Sequence, residues 1–138
     1  MKHFTLATAL CLAFIPAVAH AQDDPYADKI NSFTQGFRAT YEHARNWQAL
    51  TDIEHEAADR GVMNAFASVP DPLGDLHPEN VRPCTNETSA RLQRVCDFYE
   101  NETRQTAHRK ATDPEYVRGQ IAMLHMINNC QAPGIRCN

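Results

Sequence analysis

Asp52, His55, Glu56 and Asp59 are the residues whose types and spacing come nearest to a chemical site in this sequence. On a helix, positions 52, 55 and 59 share one face, where carboxylates beside an imidazole can hold a metal ion or raise the basicity of the histidine for proton transfer. His55-Glu56-Ala57-Ala58-Asp59 is one residue short of the H-E-x-x-H pattern that binds zinc. Asp59 stands where the second histidine belongs, and no obvious third ligand follows. The same residues also describe the solvated side of a helix whose buried side is Leu50, Ile53 and Ala57, and that reading is preferred.

Met123, His125 and Met126 bring together the soft ligands of exported copper or haem proteins, but the sequence has no C-x-x-C-H for covalent haem. Methionine fills cores readily, so packing is the expected role. Trp47, flanked by Arg45 and Asn46, is a candidate contact residue, and so is His77 within a proline-rich loop. A serine nucleophile elbow, a phosphate-cradling glycine loop and a calcium loop are all missing. No cofactor and no resident metal are expected, and the sequence leans away from an enzyme.

Four cysteines remain once Cys11, inside the apolar start of the chain, is set aside: Cys84, Cys96, Cys130 and Cys137. Their spacings match neither the close pairs of zinc sites nor a C-x-x-C redox motif, so two structural disulfides are expected. The favoured pairing is nested. A helical hairpin turning near Ala111 and Thr112 sets Cys84 opposite Cys137 and Cys96 opposite Cys130. Crossed partners would be displaced by about 14 Å at 1.5 Å per residue, against the roughly 7 Å between Cα atoms that a bridge tolerates. The local pairing, Cys84 with Cys96 and Cys130 with Cys137, requires the second long helix to start near Ser89 instead of Asn86.

The elements that must position these residues are all helical. Tyr26, Ile30, Phe33, Phe37, Tyr41 and Ala44 form one stripe at helical spacing. Beyond Trp47 the apolar residues move to the opposite side, which calls for a break or bend around Asn46 to Ala49 or burial on two sides. Asp59-Arg60-Gly61 reads as a helix stop, with a short stripe of Val62, Phe66 and Val69 after it. Four prolines between Pro70 and Pro83 make that segment a loop, long for a bundle connection. Thr85 or Asn86 is the expected cap of the next helix, whose apolar face of Leu92, Val95 and Tyr99 is thin. Asp113-Pro114 opens the last helix, with Val117, Ile121, Leu124 and Ile127 as its buried stripe.

Residues 1–21 have the layout of a secretory signal: Lys2, an apolar run from Phe4 to Val18, and Ala19-His20-Ala21 before Gln22. Residues 22–138 then form one all-α domain. Its parts are a long helical region over about 26–69, the proline-rich loop 70–83, and a C-terminal antiparallel helical hairpin, 84–137, stapled by two disulfides. The chain carries 17 acidic against 13 basic residues, a net charge of −4, which argues against nucleic acid or an anionic membrane as partner. Small size, export, disulfides and acidity suit a periplasmic or secreted protein-binding module of the inhibitor, immunity or secretion-accessory type. The second hypothesis is a small metal-binding protein or metal-dependent enzyme built on His55 and its carboxylates.

Overall fold

Proline and a short polar side chain begin the first helix, as they do the last. A computed structural model describes residues 24–67 and 82–137. In it Asp24 accepts the Tyr26 N–H at 2.9 Å, and α1 spans Pro25–Gln48. A three-residue break follows, and α2 spans Asp52–Ala67. Cys84–Asn86 is a 3-10 turn. Ser89 caps α3, Ala90–Thr112, by accepting the Leu92 N–H, and Asp113 caps α4, Pro114–Asn128, by accepting that of Tyr116. The described residues contain no strand, so the all-α reading holds. Residues 1–21, His77 and most of Pro70–Pro83 lie outside the described residues.

Contacts along the helices fix their directions. His43 meets Glu102 and Gln35 meets Arg109, so α1 and α3 are antiparallel. Glu54 meets Arg91 and Asn64 meets Glu100, so α2 and α3 are parallel. Ser32 bonds Asp113, Gly119 abuts the Phe33 backbone and Tyr41 donates to the Pro133 carbonyl, so α1 and α4 are parallel as well. The order is up, down, down, up. A parallel α2 and α3 require the chain between them to return the length of α2, about 24 Å at 1.5 Å per residue, which accounts for the long connection.

The closest packing is α1 on α4 and α2 on α3. Glycines make both approaches. A methyl group at Gly36 would overlap the Tyr116 carbonyl, one at Gly119 the Phe33 carbonyl, and one at Gly61 the Cys96 carbonyl. Gly61 therefore lies inside α2 and does not end it: its missing side chain lets two backbones touch. The buried set is accordingly small in volume, with Ala57, Ala58, Ala65 and Cys96 between α2 and α3, joined by Leu92, Tyr99, Tyr116 and Met123.

Three expectations are corrected. The disulfides are local: Cys84–Cys96, with Cα atoms 5.5 Å apart, and Cys130–Cys137, 5.6 Å apart. The nested pairing fails because α3 starts at Ala90, leaving the 3-10 turn free to curl back onto its second turn. It fails also because α3 and α4 pack on different helices, so neither bridge crosses between them. In α4, Ile121 and Leu124 are 51% and 48% exposed, and the buried side is Tyr116, Gly119 and Met123, the side that offers α1 a groove. In α1, the stripe begins exposed, because α4 starts only alongside Ser32 and leaves the first two turns of α1 projecting.

The two bridges also differ in access. Cys84 and Cys96 are 5% and 0% exposed, whereas Cys130 and Cys137 are both at the surface. Mild reductant under native conditions is expected to open Cys130–Cys137 first. Alkylation followed by mass mapping should label Cys84 and Cys96 only in denaturant; equal labelling of all four would contradict the burial.

Candidate binding surface

Trp47 sits where α1 ends, and its ring is the hub that joins α1 to α2 and α3. His43 stacks on it with ring centroids 5.9 Å apart, His55 lies 5.0 Å away, and Tyr99 meets it edge-on at 5.3 Å. The Nε2 of His55 donates to the Trp47 carbonyl at 2.7 Å, which satisfies one of the last carbonyls of α1. His43 Nδ1 lies 3.0 Å from Glu102 on α3. The arrangement locks the α1 to α2 turn.

The other residues singled out in the sequence do not converge there. Asp52 and Asp59 are exposed, and neither comes within ligand distance of His55 and a third group. Met123 is buried while His125, two residues on, faces outward from the opposite side of α4. Among the described residues, the one set of histidine, cysteine and carboxylate groups close enough to share a metal is Cys84, Asp97 and Glu100. Its sulfur is already bonded to Cys96, which removes the thiolate a metal would need.

Glu54, unremarked in the sequence, proves to be a buried carboxylate with two partners. It accepts the Thr51 N–H at 3.0 Å and pairs with Arg91 Nε at 2.5 Å. Thr51-Asp52-Ile53-Glu54 is the capping-box spacing, a signal that was available in the sequence. The Thr51 N–H, and after it the Arg91 charge, hold the Glu54 carboxyl below its ordinary value against the opposing effect of burial. Asp113 is lowered in the same way, first by the Tyr116 N–H and then by Arg109 and Ser32. Depressed carboxyls stabilise the fold above the ordinary value of about 4.5 for Glu54, and that contribution is lost as pH falls through the lowered folded value. Glu54→Gln is therefore expected to be less stable than the parent at neutral pH, with the gap closing in acid. Denaturant titrations across pH check this, and a constant gap would contradict it.

Tyr99 is 2% exposed and its hydroxyl has no hydrogen-bond partner among the described residues. Burial, then the nearby Glu102 charge, pushes it up to about 12. A buried hydroxyl without a partner costs about 1–3 kcal/mol. Tyr99→Phe should accordingly raise stability in urea or thermal melts by about 1 kcal/mol; a loss of that size would reveal a partner for the oxygen.

Two of the apolar surfaces that packing leaves open among the described residues lie at the ends of α1. One is the projecting start of α1, where Tyr26, Ile30 and Phe33 are 73%, 63% and 37% exposed at spacings of four and three. The other is an open cleft of about 520 Å³ past the opposite end of α1. Ala49, Leu50, Val95 and Phe98 form its apolar part, and Arg91 and Arg94 of α3 border it. No family model, curated protein or solved structure matches this chain. The function must be argued from these surfaces alone.

Proposed function

We propose that the chain is an exported, non-enzymatic helical module that binds another protein, of the inhibitor, immunity or secretion-accessory type. Export rests on the secretory layout of residues 1–21, and the two disulfides agree with an oxidising compartment such as the periplasm or the extracellular space. No described helix is long and apolar enough to cross a membrane.

The observation that carries the reading is the exposed face of α1. Tyr26, Ile30 and Phe33 are the i, i+4 and i+7 anchors with which an amphipathic helix enters a partner's groove. Tyr26 and Ile30 project past the start of α4, Phe33 lies where α4 begins to pack, and among the described residues all three keep exposed apolar surface. A contiguous apolar face of this kind is a characteristic of interaction sites and a liability without one.

A photoreactive residue at position 30, with a control at the opposite-facing Asp28, tests the reading in the native host. A discrete adduct from position 30 and none from position 28 is the expected result. Absence of any adduct from position 30 would overturn it.

A further inference from the structure

The cleft beyond the end of α1 has a chemistry unlike that of the chain around it. We infer that it docks a segment of a partner protein that presents an apolar side chain flanked by carboxylates. Arg91, Arg94, Val95 and Phe98 fall on one face of α3, and Ala49 and Leu50 of the α1 to α2 turn form the facing wall. Phe98 is 51% exposed, so its ring presents apolar surface to solvent. No carboxylate lines the cleft, although the chain as a whole carries a net charge of −4.

The two arginines are in different states. Arg91 reaches over to Glu54, which lies beneath the surface and is already bonded to Thr51. Arg94 is exposed and makes no ion pair or hydrogen bond with the described residues. Arg91 stands in the first turn of α3, where the helix dipole adds positive potential. A free guanidinium beside exposed Phe98, Val95 and Leu50 offers a fork for a carboxylate next to a seat for an aliphatic or aromatic side chain.

Shape chooses between a small molecule and a protein segment. Small-molecule sites enclose most of the ligand surface, whereas this cleft is broad and open and would leave a small amphiphile largely in water. A helix or extended segment lies across such a surface with only its anchors buried. The site is separate from the projecting face of α1, some 30 Å away at 1.5 Å per residue along that helix, and does not depend on the reading given to that face.

The probe is a short synthetic peptide pairing leucine with glutamate at helical spacing, with two counterparts in which lysine replaces glutamate or alanine replaces leucine. Amide spectra of the isotope-labelled protein report the site. The glutamate and leucine peptide is expected to shift Leu50, Arg94, Val95 and Phe98, to weaken with added salt, and to lose about tenfold in affinity to Arg94→Glu and to Phe98→Ala. Arg94 has no partner among the described residues, so its variant should keep the parent melting temperature. Equal binding of the lysine peptide, shifts elsewhere, or no binding would overturn the inference. So would shifts at these residues with decanoate and none with the peptide, which would make the occupant a small amphiphile.

Discussion

Gly119→Ala is expected to lose cooperative unfolding or to melt roughly 10 °C or more below the parent, although alanine is the better helix former. On an isolated helix the substitution would gain about 1 kcal/mol. Here the added carbon would overlap the Phe33 carbonyl, which is backbone and cannot rotate away. Relief requires α1 and α4 to separate. Overpacking of a tight contact costs about 1–3 kcal/mol and sometimes more, and here it adds to the loss of the Tyr116 and Met123 packing on α1. Gly36→Ala should behave alike, because its added carbon meets the Tyr116 carbonyl at the same crossing. Thermal melts by circular dichroism provide the measurement. A Gly119→Ala variant as stable as the parent would mean that the helices are not in backbone contact.

The second large effect belongs to Cys84–Cys96. Replacing both cysteines by alanine removes a bridge closing twelve residues of sequence separation, worth about 3 kcal/mol on chain entropy alone. Cys96 is also fully buried among Ala57, Leu92 and Cys84, so truncation leaves a void that α2 and α3 cannot easily fill. The same replacement at Cys130–Cys137, a surface bridge of separation seven, should cost distinctly less. His55→Ala, which gives up one hydrogen bond to a carbonyl and one ring contact, should cost about 1 kcal/mol. Urea titrations would rank the three variants. Equal midpoints for the variant with alanine at both Cys84 and Cys96 and for His55→Ala would contradict the placement of this bridge in the core.

Periodicity and caps made the helices legible before their packing. Asp113-Pro114 and the thin face of α3 are each set by a few neighbouring residues and are found in the fold, while the break expected around Asn46 to Ala49 falls slightly later, at residues 49–51. The Ser89 cap and the Thr51-Glu54 capping box were equally local, yet Thr85, Asn86 and Asp52 competed with them as polar residues at similar positions. The candidate sites fared differently. Asp52, His55 and Asp59 share a helical face in sequence, but His55 turns its Nε2 to the end of the preceding helix, an interaction no helical wheel contains.

By itself the sequence determined an all-helical chain with two disulfides, because helix spacing, caps and cysteine spacing are local properties. Only the tertiary structure decided which face of each helix is buried. Glycine weakens an isolated helix, yet the fold uses those at 36, 61 and 119 as contact points, which turned the Ile121 and Leu124 stripe outward. The pairing of the cysteines followed from the same choice, since α3 went to α2 and α4 to α1. Which helix meets which depends on surfaces far apart in the chain, and no spacing within one helix encodes it.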